Sequence, residues 1–230
     1  MTWHCPQCEH QQPLAEPGTP CPVHGGTLVH ATVLQRWPDD DLLGQVLDDR
    51  YAVYDILGRG GMGAVYRGRH LRLGRDVAIK TILPGGRQTP GFDVRERFFL
   101  EARMLANLSS PGVVSLHDYG EDAGRLFMVL ELVEGVSLQT LLREVGPLAP
   151  DRACRLAVGM LRALEAPHAL GLVHRDIKPG NIMVGTGPDG YEKVTLIDFG
   201  VAKALETDDE SLSGPATRTG LTIGTPRYMA

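Results

Sequence analysis

Apolar residues cluster in five short runs after residue 50, and their spacing predicts β-strands. The runs are 51–57, 64–69, 76–83, 113–119 and 125–133. Segments in which apolar residues recur every three or four positions predict helices at 92–108, 137–145 and 150–170. Because strands come mainly before helices, the pattern predicts an α+β fold rather than the alternation of a doubly wound parallel sheet.

The predicted helix over 150–170 carries two features that bear on its shape and packing. Pro150 suits a first helical turn, whereas Pro167 is expected to kink or end the helix. Cys154 lies among the apolar positions of this helix, so we expect it to be buried in the core.

The first 50 residues differ in character from the rest. Three of the four cysteines fall within the first 21 residues, and a Gly-Gly pair closes that segment. The following residues contain Pro38 and an acidic run, which indicate a linker. We therefore predict three parts: a small segment at 1–26, a linker at 27–50 and a larger domain at 51–230.

Composition and charge exclude several classes of protein. The chain has a formal net charge of −5, and seven acidic but only two basic residues lie in residues 1–50. Neither part offers the basic surface that nucleic acid requires. No apolar run approaches the ~20 residues of a membrane-spanning helix, and the first residues do not resemble a signal peptide. We expect a cytoplasmic protein with no nucleic-acid partner and no membrane segment in this chain.

A glycine-rich run, GRGGMGAV, begins at Gly58 and is the first candidate for chemistry. Gly58, Gly60 and Gly63 would let backbone N–H groups approach phosphate without a Cβ in the way. A plain hairpin turn and the start of a dinucleotide-binding unit are the alternatives. A strand rather than a helix is predicted after the glycines, which argues against dinucleotide binding.

Lys80 lies on the otherwise apolar run 76–83, where an unpaired ammonium group would be costly. The chain has only four lysines, and we expect this one to face an anion. Glu101, on the helix predicted over 92–108, is the candidate partner, although a glutamate on a helix more commonly faces solvent.

Two polar sequences further along the chain favour a cation site. HRDIKPGN begins at His174, and DFG begins at Asp198 directly after an apolar run. The amide of Asn181 and the carboxylate of Asp198, 17 residues apart, are oxygen ligands that suit Mg²⁺. Each sequence alone is a weak signal, but the glycine run, the lysine and these two sequences in this order are specific.

Together these sequences resemble the signature of the protein kinases over residues 51–230. HRDIK and the final GTPRYMA are similar to the serine/threonine branch, and LGRGGMGAVYRG resembles the eukaryotic-like kinases of bacteria. The resemblance implies a protein-kinase-like fold, with a complete N-lobe and the first part of the C-lobe. It also implies transfer of the ATP γ-phosphoryl group to serine and threonine hydroxyls of protein substrates.

The resemblance implies a role for each matching residue. Asp176 would orient the substrate hydroxyl and accept its proton, and Lys178 would steady the γ-phosphate. Lys80, held by Glu101, would contact the α- and β-phosphates. Asn181 and Asp198 would hold Mg²⁺, and Leu130 would be the gatekeeper before the hinge. The residues implied to contact ATP are Leu57, Gly58, Gly60, Gly63, Val65, Ala78, Lys80, Glu131, Val133 and Met183.

A polar stretch rich in hydroxyl side chains follows Gly200, and by itself it indicates a flexible loop. The resemblance implies an activation segment, with Thr217, Thr219 and Thr222 as candidate phosphorylation sites. A phosphate there would add about −1.5 to −2 charges and pair with Arg175. We therefore expect activation by autophosphorylation.

A cysteine and histidine pattern near the start predicts a metal site. Cys5, Cys8, Cys21 and His24 form C-x2-C-x12-C-x2-H, two close pairs that suit tetrahedral Zn²⁺. Bound metal would supply the folding energy that so small a segment lacks. A disulfide and unbound thiols are alternatives, and His10 is an alternative fourth ligand. The segment resembles a small zinc ribbon, and the absence of Lys and Arg from residues 1–35 favours a protein partner over nucleic acid.

The sequence stops at Ala230, where members of the family continue with Pro-Glu. We expect a fragment whose catalytic residues lack part of their supporting shell, and therefore impaired activity. A nucleotide-binding regulatory module and a zinc-ribbon interaction module, both without turnover, are the alternatives.

Overall fold

A computed structural model describes residues 2–60, 63–82, 94–108, 110–174 and 176–199, except the side chains at positions 94, 97 and 101. The chain divides into two compact units. The first comprises Met1–Phe92 with Leu116–Leu132, and the second comprises Asp93–Ser115 with Val133–Ala230. Among the helices of the described stretches, none combines the length and apolar composition that a membrane crossing needs.

The beginning of the first unit contains very short strands and one short helix. They are β1 (Trp3–His4), β2 (Gln11–Gln12), β3 (Val29–His30) and α1 (Ala31–Arg36). The three strands form an antiparallel sheet in the order β2-β1-β3. Cys5, Cys21 and Leu28 are buried together in a small cluster of their own.

A six-stranded antiparallel sheet forms the main part of the first unit. Its strands are β4 (Val46–Leu47), β5 (Tyr51–Gly60), β6 (Gly63–His70), β7 (Arg75–Ile82), β8 (Leu116–Asp122) and β9 (Arg125–Glu131). They lie in the order β4-β5-β6-β7-β9-β8. The sheet therefore contains four of the five predicted strands nearly as the apolar runs indicated, and the fifth only from residue 116 onward.

Alternation along the strands gives this sheet two distinct faces. Tyr66, Ile79 and Val129 lie opposite one another on neighbouring strands and belong to one buried cluster. We call this side the core face. Val65 and Lys80 form the next row, so their side chains point to the other side, which we call the lysine face.

Residues 27–50, predicted from the sequence to be a linker, are folded and share the core of the sheet. Val29, Leu42, Leu43 and Leu47 are buried in the same cluster as the residues of the core face. β4 also extends the sheet by pairing with β5. These apolar residues occur singly or in pairs among polar ones. Their spacing matches neither the helix period nor the strand period, so the sequence does not predict an element here.

The second unit contains the longer helices and a smaller sheet. Its elements are α2 (Val94–Ala106), β10 (Val136–Ser137), α3 (Leu138–Val145), α4 (Pro150–Ala169), a 3₁₀ turn (Pro179–Asn181), β11 (Ile182–Thr186) and β12 (Glu192–Leu196). The strands pair antiparallel in the order β10-β11-β12. The Ser137 hydroxyl caps α3 by accepting the Thr140 N–H at 3.1 Å. A strand-rich unit and a helix-rich unit confirm the α+β prediction.

The apolar run 113–119 was wrongly predicted as one strand. Val113 and Val114 belong to the second unit, where the Val114 N–H donates to the Leu196 carbonyl at 3.0 Å. β8 begins only at Leu116, in the first unit. The run is continuous in sequence, but its two parts bury their side chains in different units, which periodicity does not reveal.

The long helix α4 differs from expectation in two details. It continues for two residues past Pro167, which is buried within its last turn. Cys154 is exposed rather than part of the core, because the buried side of α4 consists of Leu156, Ala163 and Pro167.

Candidate functional site

The glycine-rich run forms the end of β5 and the start of β6. Gly58 lies opposite Val65, and Val65 lies opposite Lys80, so one row crosses three strands. Ala78 lies two positions before Lys80 and opposite Leu130, and it therefore shares the lysine face. The sheet thus gathers the glycine run, the lysine and apolar side chains on one face.

The glycines of the run differ in what an added side chain would meet. A Cβ at Gly63 would collide with the carbonyl oxygen of Thr81, so glycine is required there for β6 to approach β7. A Cβ at Gly58 would meet no described atom within 4 Å, and one at Gly60 only the Gly63 carbonyl oxygen at 4.0 Å. The packing of the described residues therefore does not demand glycine at these two positions, and the open space suits an approaching ligand.

The other residues predicted to contact ATP are divided between the two units. Leu57 and Glu131 belong to the first unit, and Val133 and Met183 to the second. Leu57 is 49% exposed, which leaves its side chain free to cover a ligand. Some site residues predicted from the sequence lie outside the described residues: the side chain of Glu101, and Arg175, Thr217, Thr219 and Thr222.

Asp176 is the centre of a hydrogen-bonded group in the second unit. Lys178 Nζ donates to Asp176 Oδ2 at 2.7 Å. Asn181 Nδ2 donates to the same oxygen at 3.0 Å and to the Asp176 carbonyl oxygen at 2.9 Å. The Asp176 side chain is only 8% exposed, so these charge-assisted bonds act with little screening by water. They fix the direction in which the carboxylate points.

Asn181 and Asp198 have the oxygen chemistry and the setting of cation ligands. Because Asn181 Nδ2 makes both bonds to Asp176, the amide oxygen is directed away from that residue. The Ile197 N–H donates to the Asn181 carbonyl at 3.0 Å, which joins the 3₁₀ turn to the residue before Asp198. Asp198 has a φ of 55°, a left-handed conformation that is strained in a non-glycine residue and concentrates at functional sites. A carboxylate and an amide oxygen fit a hard cation such as Mg²⁺.

His174 anchors the loop that carries Asp176, a role that the sequence analysis did not assign. Its Nε2–H donates to the Ile197 carbonyl at 3.1 Å, and its Nδ1 accepts the Asp176 N–H at 3.4 Å. Its ring also lies 4.4 Å from the Phe199 ring, centroid to centroid. Burial lowers the pKa of His174 below 6.5, in keeping with the neutral form that both bonds require. Its position two residues before Asp176 was the available signal.

A second cluster, in the first unit, brings together Cys5, Cys8, Cys21 and His24. Their ligand atoms all lie within 4.8 Å of one another, and His10 is not among them. The Sγ atoms of Cys8 and Cys21 are 3.7 Å apart, and Cys5 Sγ is 3.1 Å from His24 Nε2. Burial raises the pKa of the Cys5 thiol to about 11, so a thiolate there requires a cation close by.

The geometry of this cluster fits a tetrahedral metal better than a disulfide. Ligands bound at ~2.3 Å for sulfur and ~2.0 Å for nitrogen around Zn²⁺ lie about 3.5–3.8 Å from one another. The 3.7 Å between the sulfurs of Cys8 and Cys21 falls in that range, and the 3.1 Å from Cys5 Sγ to His24 Nε2 lies below it. A disulfide between Cys8 and Cys21 would need ~2.05 Å. All four cysteines of the chain are free thiols.

Comparison with protein families and curated proteins gives one consistent answer. A model of the protein kinase domain matches residues 51–230. The serine/threonine-protein kinase PknA of Mycobacterium tuberculosis is 42% identical over 193 residues, which are 82% of this chain and 42% of PknA. The serine/threonine-protein kinase PknH of Mycobacterium bovis is 42% identical over 180 residues, which are 78% of this chain and 28% of PknH. The chain thus spans less than half the length of either relative.

Solved structures agree on the fold. The kinase domain of Mycobacterium tuberculosis PknI superposes with a TM-score of 0.56 at 30% identity, covering 69% of this chain and 62% of that one. Rad53 residues 1–466 in complex with AMP-PNP superposes with a TM-score of 0.57 at 25% identity, covering 66% and 38%. These similarities confirm the predicted protein-kinase-like fold.

Proposed function

The chain belongs to the protein kinase family, and from that premise we propose that it transfers the γ-phosphoryl group of ATP to serine and threonine hydroxyls of proteins. The observation that carries the proposal is the hydrogen-bonded group of Asp176, Lys178 and Asn181. Two curated relatives are named as serine/threonine-protein kinases, and one similar structure holds AMP-PNP. Both facts support the same chemistry.

Asp176 would act on the substrate hydroxyl. Its carboxylate, held by Lys178 and Asn181, would orient the hydroxyl and accept its proton as the oxygen bonds to the γ-phosphorus. The bond from phosphorus to the bridging oxygen breaks at the same centre, and ADP leaves. The Lys178 ammonium would offset negative charge on the transferring group.

The remaining site residues would bind and align the nucleotide. The family implies ATP and Mg²⁺, and Mg²⁺, when bound, neutralises phosphate charge. Asn181 and Asp198 would hold that cation. On the lysine face, the open space at Gly58 and Gly60 would admit the phosphates, and Lys80 would contact them. The lysine is held in its row by the pairing of β7 with β6.

Phosphoryl transfer by the full chain tests the proposal. The protein is incubated with Mg²⁺, ATP labelled at the γ-phosphate and casein as a serine- and threonine-containing acceptor. We expect labelled casein from the wild type, and a loss of about 10³-fold or more in Asp176→Asn, which keeps the shape but not the base. Asp189→Asn, a matched change at an exposed turn, should retain activity. ATP binding without any transfer would point to a nucleotide-binding module instead, and no ATP binding would overturn the proposal.

For the second cluster, we propose that Cys5, Cys8, Cys21 and His24 bind one Zn²⁺ that stabilises the fold of the first residues. The support is the ligand geometry described above and the small size of the surrounding cluster of Cys5, Cys21 and Leu28. Structural zinc of this kind contributes directly to folding free energy. A separate protein partner for this segment stays a prediction from the sequence.

Metal analysis of the purified full chain tests the zinc proposal. We expect about one zinc per chain in the wild type, because the described part of the chain contains one four-ligand cluster. Cys21→Ser should lose the metal, whereas Cys154→Ser, at an exposed thiol on α4, should keep it. Zinc retained in Cys21→Ser, or absent from the wild type, would contradict the proposal.

Domain boundaries and location follow from the same proposals. We propose a zinc-ribbon-like segment at 1–26 and a kinase domain at 51–230, with residues 27–50 connecting them and packing on the sheet. ATP as the phosphoryl donor and free thiols as metal ligands both favour the cytoplasm, where thiols stay reduced.

Regulation by phosphorylation of the segment after Gly200 is likewise a proposal, since Thr217, Thr219 and Thr222 lie outside the described residues. Its basis is the resemblance together with the charge that a phosphate adds. Mass spectrometry after incubation with Mg²⁺ and ATP should find phosphate on this segment. The double variant Thr217→Ala/Thr219→Ala should reduce transfer to casein, and unchanged activity would refute autophosphorylation as the switch.

A further inference from the structure

Arg59 is the second residue of the glycine-rich run and points away from the lysine face. It lies between Gly58 and Gly60 on β5, opposite Ala64 of β6. Ala64 is buried in the cluster of the core face. Because neighbouring residues of a strand point to opposite faces, the two glycines face the side of Lys80 while the Arg59 side chain faces the core side.

A buried carboxylate from outside the family match holds Arg59. Asp40 Oδ2 accepts hydrogen bonds from Arg59 Nη2 and, at 3.0 Å, from the Tyr66 hydroxyl. Asp40 Oδ1 accepts the N–H groups of Leu42 and Leu43, both at 2.9 Å. The Asp40 side chain is 1% exposed. Four donors on one buried carboxylate offset the cost of removing its charge from water, and the pair with Arg59 is charge-assisted.

The face of the Arg59 guanidinium is also occupied. Its central carbon lies 4.9 Å from the centroid of the Trp37 ring, within the range of a cation–π contact. Trp37 in turn packs against the core-face cluster. Asp40 therefore pairs with the charge of Arg59, and Trp37 packs against the plane of its guanidinium. Both residues precede those that match the family model.

We propose that Asp40, through Arg59 and with Trp37, is a positioning residue that sets the glycine-rich strand for the phosphates of the nucleotide. Gly58 and Gly60 have no side chains with which to fix this strand, and its pairing with β6 is irregular between Ile56 and Gly58. The contacts of Arg59 with Asp40 and Trp37 fix the strand from the opposite face. A strand fixed beforehand loses less conformational freedom when it binds phosphate, which strengthens binding. The proposal rests on the proposed binding of ATP.

Nucleotide affinity of the full chain, measured by isothermal titration, tests the proposal with two ligands. Mg²⁺–ATP carries the phosphates, whereas adenosine carries only the base and sugar. We expect Asp40→Asn to weaken ATP binding by about tenfold or more, the size of effect that one charge-assisted bond has, and to leave adenosine binding unchanged. Arg59→Gln, which does not disturb the bonds from Leu42 and Leu43 to Asp40, should do the same. Arg59→Lys should recover part of the affinity, because the charge returns without the planar group.

Asp41→Asn is the matched control, because it removes the same charge one residue further along. Asp41 pairs with Arg125 at 2.7 Å and its side chain is 75% exposed, and no hydrogen bond or ion pair joins it to the described residues of the glycine run. Its affinity for ATP should equal that of the wild type. Thermal unfolding of each variant shows whether the chain remains folded at the temperature of the titration.

The outcomes separate the failure of this proposal from failure of the proposed function. If the wild type does not bind ATP, the proposed function fails. If the wild type binds ATP and Asp40→Asn weakens the binding of ATP and adenosine equally, Asp40 has only a structural role and the positioning role is refuted. Unchanged ATP affinity refutes it as well. Tighter ATP binding in Asp40→Asn would mean that Arg59 itself competes for the phosphates, which also overturns the proposal.

Discussion

The glycines that begin at Gly58 serve two purposes that a sequence motif does not distinguish. Gly63 is required by the close approach of β6 to β7, where Thr81 leaves no room for a Cβ. Among the described residues, an added Cβ at Gly58 or Gly60 would meet nothing closer than 4.0 Å. A side chain added at Gly63 should therefore lower stability, whereas a side chain added at Gly58 or Gly60 should weaken ligand binding.

We expect Gly60→Ala to unfold at the same denaturant concentration as the wild type but to bind Mg²⁺–ATP more weakly, because its Cβ would enter the space open to the phosphates. Gly63→Ala should lower the free energy of unfolding by about 1–3 kcal/mol through overpacking against Thr81. Urea unfolding and nucleotide titration of both variants check the pair. Equal loss of stability in the two variants would contradict the distinction.

Stability should depend on pH through His174. Burial lowers its pKa in the folded chain below 6.5, so near that pH the unfolded chain binds more protons than the folded one. Its contribution to stability is fully present above about 6.5 and is lost as the pH falls towards the lowered pKa. Urea midpoints at pH 7 and pH 5 should show this decrease, and His174→Gln should reduce it.

His117 requires a control in that measurement. Burial and the charge of Arg75 lower its pKa as well, so it contributes to the pH dependence in the same direction. The comparison is therefore made in a His117→Gln background. A pH dependence that is unaffected by His174→Gln in that background would refute the assignment.

The members of the candidate site were predictable from the sequence where residues of suitable chemistry lie close together along the chain. The group of Asp176, Lys178 and Asn181 falls within six consecutive residues, so its members are close in any fold of the loop. The bonds of His174 to Ile197 and of Asp40 to Arg59 join residues 23 and 19 positions apart. Nothing local in the sequence pairs them, because the fold brings them together.

At the scale of elements, the hairpin between β8 and β9 has a strained turn. Asp122 pairs with Arg125, so the loop contains only Ala123 and Gly124. Their φ angles are 47° and 79°, the left-handed values of the type I′ turns that suit two-residue hairpins. Glycine adopts these angles freely, whereas alanine does so at a cost.

We expect Ala123→Gly to raise the free energy of unfolding by about 0.5–1 kcal/mol, the strain relieved minus the greater freedom of glycine in the unfolded chain. Gly124→Ala should lower it, because it introduces the same strain at the second position. Urea unfolding of both variants checks the signs. A destabilised Ala123→Gly would mean that the turn tolerates alanine without strain.

Elements were predictable where one run of sequence stayed within one unit. β5, β6 and β7 lie close to the runs 51–57, 64–69 and 76–83 because each strand alternates between the same two faces. The run 113–119 failed because Val113 and Val114 pair with Leu196 while the residues from Leu116 pair with β9. Hydrophobicity shows that a residue is buried, but not what it is buried against.

At the scale of the whole molecule, residues between Val29 and Leu47, ahead of the family match, contribute to the core of the sheet. Leu43 is 1% exposed and lies in the cluster of the core face, whereas Leu14 is 83% exposed. We expect Leu43→Ala to lower the free energy of unfolding by about 2–5 kcal/mol through the cavity it leaves. Leu14→Ala is the matched control and should change it by less than about 0.5 kcal/mol. Equal, small effects would show that the segment contributes nothing to the sheet.

The fold class was predictable as a whole because the motifs are specific and the strands of the large sheet come mainly before the longer helices. The joint core of residues 27–50 and the sheet was not. Its members, such as Val29, Leu43 and Leu47, are too few and too irregular to predict an element.

The pairing of β4 with β5 has a consequence for how this protein can be cut and recombined. Leu47 pairs with Tyr51 and Val46 with Ala52, so the pairing spans the position where the family match begins. A cloning junction at residue 50 would remove one strand of this ladder and leave Arg59 without its carboxylate. Exchange of the segment with that of a relative would require the matching arginine and core residues to be exchanged too. The folded unit that contains the glycine-rich strand therefore begins ahead of the residues that match the family model.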